Sequence, residues 1–209
     1  MTIKVLIAED HSIVRMAVSI LLKQMFPEVS IIESTSFDKM LERLNEQSFE
    51  LLILDINIPG GNSVQMIDPI RLRQPGIPIL IFSSYEEQIY ALRYLRAGAT
   101  GYIHKESDTQ ELKLAIRKVL RRERYASPEI LNQLLNNAVG KNRTEKGITS
   151  LTNREIDIMN MLVKGALPSE IKMVLNIQLS TISTYKARIF EKMEVNNLAQ
   201  LIEQVNNLS

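Results

Sequence analysis

Along the first 122 or so residues, short continuous apolar runs alternate with segments of helical period. Residues 3–8 (IKVLIA) stop abruptly at Glu9-Asp10, and residues 51–54 (LLIL) stop at Asp55. Residues 77–82 (IPILIF) stop at Ser83-Ser84, and Gly101-Tyr102-Ile103 stops at His104-Lys105. A β-rich run also falls at 28–32. Between these runs, apolar side chains recur at helical spacing over 11–25 (Ile13, Val14, Ala17, Ile20, Leu21), 37–46 and 108–122. Strands that are apolar on both faces, separated by helices, predict βαβ units and a parallel sheet. Pro69 falls in the segment after Asp55 and predicts a short or kinked third helix.

The pattern changes after residue 122. A helical patch from Pro128 to Ala138 leads into the polar stretch 140–147, which has the composition of a linker. From 149 onward every apolar period is helical. Thr152 and Glu155 form an S/T-x-x-E capping box ahead of Ile156, Met159 and Leu162, and Gly165 is placed to end that helix. A short helix is expected over 168–175, a third over 179–193 with Ser180 as N-cap, and a fourth over 196–207. Leu198, Leu201, Ile202 and Val205 line one side of the last, either as a dimer face or as packing onto the first helix of that unit. The expected architecture is therefore α/β, a doubly wound five-stranded parallel sheet of flavodoxin-like layout over 1–124. A linker over 125–148 and an all-α four-helix unit over 149–209 follow it.

Composition narrows the chemistry. The 209 residues include no cysteine, which excludes disulfides, thiolate metal sites and cysteine nucleophiles. His11 and His104 are the two histidines, too few for a histidine-rich metal site. No stretch approaches the ~20 apolar residues of a membrane span, and the amino terminus does not read as a signal peptide, so a cytoplasmic protein with no membrane partner is expected. Residues 1–124 carry 16 basic and 16 acidic side chains, and residues 149–209 carry 6 of each. Charge alone therefore does not point to nucleic acid.

In an open parallel sheet, ligands bind at the carboxyl ends of the strands. Here those ends deliver Glu9, Asp10, Asp55, Ser83 and Lys105 to one rim. Three carboxylates together call for a cation, and oxygen ligands without thiolate or clustered imidazole favour a hard ion such as Mg²⁺. Such an ion, the Lys105 ammonium and the Ser83 hydroxyl would neutralise and position a phosphoryl group arriving at the Asp55 carboxylate.

Glu9-Asp10, Asp55 followed by Pro59, Ser83, and AGATGYIHK ending in Lys105 resemble the receiver domain of two-component response regulators, over about residues 3–122. The resemblance implies that Asp55 accepts a phosphoryl group from a sensor histidine kinase or phosphotransfer protein. It also implies that Glu9, Asp10, Asp55 and the backbone carbonyl of Asn57 hold Mg²⁺, and that Ser83 and Tyr102 form a switch pair. On its own chemistry Tyr102 is equally a core aromatic. The glycines at 60 and 61 depart from the family pattern and bear on the shape of the loop behind Asp55.

The 168–175 helix, the turn at Asn176-Ile177-Gln178 and the 179–193 helix have helix-turn-helix spacing. The second helix of such a unit lies in the major groove of double-stranded DNA. Its candidate contacts are Ser180, Thr181, Ser183, Thr184, Lys186, Ala187, Arg188 and Lys192, with Ile182, Ile189 and Met193 as core. By pattern alone a small charged bundle reads equally well. LTNREIDIMNMLVKG and SEIKMVLNIQLSTISTYKARIFEKMEV, over 151–197, resemble the LuxR-type helix-turn-helix of the NarL/FixJ group. Ser183 stands where a lysine is usual and Tyr185 where a histidine is usual. The Ser-Thr-Tyr-Lys run is similar to BvgA- and EvgA-like members. Fewer cations on one module favour a homodimer as the active form.

The expected function is a transcription regulator, not an enzyme. Phosphorylation would either release the recognition helix or pair two receivers. Two other classes fit less of the chain. An aspartyl-phosphate hydrolase would need a second acid two residues after Asp55, where Asn57 stands. A phosphorylation-independent interaction protein would use the bundle to bind another protein.

Overall fold

A computed structural model describes residues 3–61, 63–138 and 147–206, with the backbone alone described over 136–138. The chain divides into two compact units, Met1–Val139 and Gly140–Ser209.

In the first unit the chain runs β1 (Lys4–Ala8), α1 (Ser12–Met25), β2 (Ser30–Ser34), α2 (Phe37–Glu46) and β3 (Leu51–Leu54). It continues through α3 (Ile67–Arg73), β4 (Ile79–Ser83), α4 (Glu87–Ala97), β5 (Gly101–His104) and α5 (Thr109–Leu120). The five strands are parallel in the order β2-β1-β3-β4-β5. The order turns back on either side of β1, which opens a crevice at the carboxyl ends of β1 and β3. All four residues of β3 and all five of β4 are buried, as a strand sandwiched between helix layers requires. One layer of the core joins Val5, Ile7, Leu51, Ile53, Leu80 and Phe82 to α1 and α5. Each such side chain removed from water contributes about 1.5–3 kcal/mol.

The caps are local. Ser36 accepts Lys39 N–H at the start of α2, and Asp108 accepts the N–H groups of Gln110 and Glu111 at the start of α5. The segment after Asp55 forms a single 3₁₀ turn, Val64–Met66, before the short α3, with Pro69 harmless in the first turn. Gly60 holds φ 86° in that loop.

Helix α1 is where the apolar period misleads. Val18, Leu21 and Leu22 face the sheet, while Ile13 is 75% and Ile20 50% exposed. The helix carries more apolar side chains than one stripe can bury. Its buried stripe packs on the sheet, and Arg15 ties its first turns to the end of β1, Nη1 donating to the carbonyls of Glu9 and Asp10 at 2.8 Å each.

The first unit extends past residue 124. Tyr125 forms a parallel bridge with Gly101, exchanging hydrogen bonds with Tyr102 N–H and the Thr100 carbonyl. This covers part of the open edge of β5. Gly101 is required there, because a Cβ would stand 2.8 Å from Val119 Cγ2. Helix α6 (Pro128–Ala138) then packs on α4, with Ile130 buried and Ser127 N–H donating to Glu87 Oε1 at 2.6 Å. The expected 125–148 linker is thus split. Its first half is structured against the sheet unit, and residues 139–146 lie outside the described residues.

The second unit holds a 3₁₀ turn (Gly147–Ser150), α7 (Asn153–Val163), α8 (Pro168–Leu175), α9 (Leu179–Met193) and α10 (Leu198–Asn206). The Thr152/Glu155 capping box forms in full, and Gly165 lies beyond the end of α7 with φ 83°. Ile156, Met159, Ile171, Ile182, Ile189 and Met193 are buried together with Leu201 and Val205 of α10. Two of the four apolar residues on that side of α10, Leu201 and Val205, are thus taken up within the unit, where α10 packs on α7, while Leu198 and Ile202 are half-buried. Ser180 is not an N-cap. Helix α9 begins at Leu179, as expected, and its N-cap is Gln178, which makes no side-chain bond.

Candidate functional site

The parallel register delivers the acidic rim. Asp55 N–H donates to the Ala8 carbonyl and Lys105 N–H to the Ser83 carbonyl, so adjacent strands end level with one another. Asp55 and Glu9 are buried, and Lys105 reaches between them. Its Nζ lies 2.9 Å from Asp55 Oδ2 and 2.5 Å from Glu9 Oε2. Burial pushes the Asp55 carboxyl up, with partial relief from Asn57 N–H at 3.0 Å and from Lys105. Burial alone would lower the Lys105 ammonium, but its bonds to Glu9 and Asp55 outweigh that and hold its pKa above the usual lysine value. Lys105 is thus kept charged by its two carboxylate neighbours, and it offsets part of the cost of burying Asp55.

His11 joins this group, a member that strand-end reasoning missed. Its Nδ1 lies 2.9 Å from Glu9 Oε1 and 3.0 Å from Asp10 Oδ1, and the Glu9 bond first, then the Asp10 charge, raise its pKa. Glu9, Asp10, His11 and Asp55 each offer a ligand atom within 4.8 Å of the others. Besides these close cations, Glu9 Oε2 and Asp10 Oδ1 accept no hydrogen bond of good angle, so both buried oxygens keep lone pairs to offer. The donor set is oxygen-dominated and suits a hard divalent cation. The signal for His11 was its place directly after Glu9-Asp10. Arg15 had no such signal, since it acts through backbone carbonyls.

Ser83 is fully buried and its Oγ accepts Tyr85 N–H at 3.1 Å. Tyr102 is also fully buried, and its hydroxyl donates to the Tyr85 carbonyl at 2.6 Å. Burial raises the Tyr102 pKa well above the ordinary phenol value, so it stays protonated as that donor. The Tyr85 hydroxyl donates to Asn57 Oδ1 at 3.1 Å, and its ring stacks on Tyr90 at 4.8 Å. Tyr85, another residue missed in the sequence, therefore ties Asn57, Ser83 and Tyr102 together.

In the second unit, Asn176 turns the chain at φ 50° between α8 and α9. Arg154 pins that corner by donating to the Leu175 carbonyl at 2.7 Å. On α9, Ser180, Ser183, Thr184, Ala187 and Arg188 are exposed, and Thr181 and Lys186 are half-buried. Ser183 and Thr184 hydroxyls bond back to the carbonyls of Leu179 and Ser180. Lys186 Nζ lies 5.4 Å from the Phe190 ring centroid, a cation–π contact that leaves the ammonium near the surface. Lys192, a candidate DNA contact, makes an ion pair within the unit. Its Nζ lies 2.7 Å from Oε2 of buried Glu155, the carboxylate of the α7 capping box. That pair joins α9 to α7 and takes the charge out of the helix's outer face.

A doubly wound receiver with an acidic, lysine-bridged edge, followed by a helix-turn-helix unit, is the layout of a DNA-binding response regulator. The chain belongs to that family: residues 5–117 match the response regulator receiver domain, and residues 149–205 match the bacterial regulatory proteins of the luxR family. It is 32% identical to the Fimbriae Z protein of Salmonella typhimurium over 202 residues, covering 95% of this chain and 94% of that one. It is 28% identical to the response regulator GacA of Pseudomonas aeruginosa over 95% of this chain and 93% of the other. Among solved structures, the response regulator RcsB in complex with DNA shares its fold, with TM-score 0.76 and 22% identity over 98% of this chain and 99% of that one. Among the described residues, no helix is long and apolar enough to cross a membrane.

Proposed function

We propose that Asp55 accepts a phosphoryl group from a sensor histidine kinase or phosphotransfer protein, and that the modified protein controls transcription through α9. The observation that carries this reading is Lys105 held between Glu9 and Asp55 at the carboxyl edge of the sheet. Phosphoryl transfer needs a positioned nucleophile and neutralised oxygens more than covalent help from the protein. Asp55 supplies the attacking oxygen. Lys105 moves from the carboxylate to the incoming oxygens, and Ser83 Oγ donates to them once it is freed from Tyr85 N–H.

Glu9, Asp10, Asp55 and the Asn57 carbonyl would hold Mg²⁺, with His11 at the rim, and the ion supplies charge neutralisation when bound. Freeing Ser83 from Tyr85 N–H breaks one end of the chain that runs to Tyr102, which makes Ser83 and Tyr102 the switch pair. The exposed face of α9 supports reading Ser180, Thr181, Ser183, Thr184, Lys186, Ala187 and Arg188 as contacts to double-stranded DNA. The Ser183-Thr184-Tyr185-Lys186 run supports a BvgA/EvgA-like recognition helix. Two cations on that face are few for one module, so the active species is a homodimer on a two-fold site. The protein works in the cytoplasm, with residues 1–124 as receiver and 149–209 as DNA-binding domain. Asn57 in place of a second acid supports a regulator over a hydrolase.

The test is incubation with acetyl phosphate and Mg²⁺, followed by mass analysis. A single hydroxylamine-labile phosphoryl adduct on the Asp55 peptide is expected, and none on Asp55→Asn. An adduct of equal yield on the variant would remove Asp55 as acceptor.

A further inference from the structure

The sheet edge opposite the acidic pocket holds a separate cleft of about 650 Å³. It opens where the amino ends of β1, β3 and β4 meet the carboxyl end of α5. Its floor is apolar: Phe49 and Ile77 are buried, and Ile3, Phe26 and Leu120 are half-buried. One flank is cationic, formed by the exposed Arg117, Arg121 and Arg122. The carboxylate in the lining, Glu50, is already engaged by Lys4 N–H at 2.6 Å. Among the described residues, none of these three guanidinium groups has an ion pair or hydrogen bond within the protein.

The flank is built, not incidental to a flexible tail. Arg122 sits in the left-handed region at φ 63°, which turns the chain sharply after α5. Its Nη1 lies 3.6 Å from where a Cβ on Gly76 would stand, so the turn at 75–77 leaves room for it. Arg71 approaches the same turn from the other side, donating to the carbonyls of Pro75 and Ile77. Its pKa is lowered first by burial and then by the charge of Arg122. Compensation of the α5 dipole accounts for a cation at this helix end. It does not account for unmatched guanidinium groups beside an open apolar floor.

We propose that this cleft binds a small amphiphilic anion: a carboxylate, phosphate or sulfonate head on an aromatic or short acyl body. The head lies among the guanidinium forks, which match planar and tetrahedral oxyanions with two parallel hydrogen bonds. The body covers Phe49 and Ile77, and the cleft volume is that of a small-molecule site. The binding is independent of Asp55, which lies at the far edge of the sheet.

The test uses the full chain and 8-anilinonaphthalene-1-sulfonate as probe, followed by fluorescence and by amide NMR. The probe is expected to shift the amides of Glu50, Gly76 and Ile77 and to leave those of Asp55 and Lys105 in place. The uncharged N-phenyl-1-naphthylamine is expected to bind at least about tenfold more weakly, since it lacks the charged head. Arg117→Gln with Arg121→Gln is expected to weaken the probe by a similar factor. Arg122→Gly removes a guanidinium while relieving the left-handed backbone, so its loss of binding is not a loss of fold. Decanoate and decyl phosphate compete for the site, and the stronger competitor identifies the head group. Equal binding by the uncharged analogue, unchanged binding by the variants, shifts confined to other residues, or displacement by neither competitor would each overturn the proposal.

Discussion

The acidic pocket and the outer face of α9 hold their charges in opposite ways. In the pocket, Glu9, Asp10, His11, Asp55 and Lys105 are each within ion-pair distance of another member, and the two carboxylates that flank Lys105, Glu9 and Asp55, are buried. On α9, Arg188 is exposed and Lys186 leans on a ring. A buried cluster is a preorganised site whose members cannot be removed singly without leaving an unpaired charge. An exposed face loses affinity for its partner when trimmed but leaves the fold intact. In the proposed function, the first kind of site serves chemistry at the sheet edge and the second serves recognition on the helix.

Within α9 itself the contrast can be broken residue by residue. Lys186→Ala with Arg188→Ala is expected to weaken DNA binding about 100-fold and to lower the slope of log affinity against log salt by roughly 2, one per lost phosphate contact. Its unfolding midpoint should stay at the wild-type value. A filter-binding series over salt concentration reads both quantities. Wild-type affinity in the double variant would show that the DNA surface lies elsewhere.

Lys192 sits on the same helix but belongs to the other kind. Lys192→Ala leaves the buried Glu155 carboxylate without its partner and should cost about 2 kcal/mol in urea unfolding of the second unit. The pair also sets a pH dependence. Burial alone would raise the Glu155 pKa, yet Lys192 and the two Thr152 bonds outweigh it and hold the carboxyl below its usual range. A depressed folded-state pKa means that the stabilisation is fully present above the ordinary glutamate value. It is lost as pH falls through the lower folded-state value. Stability of this unit should therefore decline below about pH 4.5, the unperturbed range of glutamate, and Glu155→Gln should flatten that decline. A Lys192→Ala variant with wild-type stability and impaired DNA binding would return Lys192 to the recognition surface.

The smallest effect concerns the position where a lysine is usual. Ser183 is exposed and its hydroxyl is turned back to the Leu179 carbonyl. Ser183→Lys should raise DNA affinity by up to about tenfold and steepen the salt slope by roughly 1. No change would mean that residue 183 faces away from the phosphates.

What was legible in the sequence follows from locality. The continuous apolar runs of β3 and β4 located strands, and the polar residues that end them located the pocket, because a parallel sheet aligns its strand ends. The Thr152/Glu155 cap lies within one helical turn and was readable for the same reason. Contacts set by distant partners were not. Which stripe of α1 is buried depends on how Val18, Leu21 and Leu22 meet the sheet, so Ile13 and Ile20 keep a helical period without a buried face. Lys192 has the charge of a DNA contact, and only Glu155, 37 residues earlier, shows that it is a tie between helices. Tyr85 meets Ser83 and Tyr102 through its backbone N–H and carbonyl, which no residue type announces. Helix α6 was readable as a helix, but its packing on α4 rests on the Glu87–Ser127 bond across 40 residues.

In the proposed function, modification of Asp55 changes what α9 does. The most direct measurement is DNA retention by the wild type and by Asp55→Asn, each with and without acetyl phosphate, on sequences selected from a random pool with the phosphorylated protein. Acetyl phosphate should strengthen retention of the wild type and leave the variant unchanged. Equal stimulation of both proteins, or stimulation of neither, would contradict the claim that Asp55 is the switch.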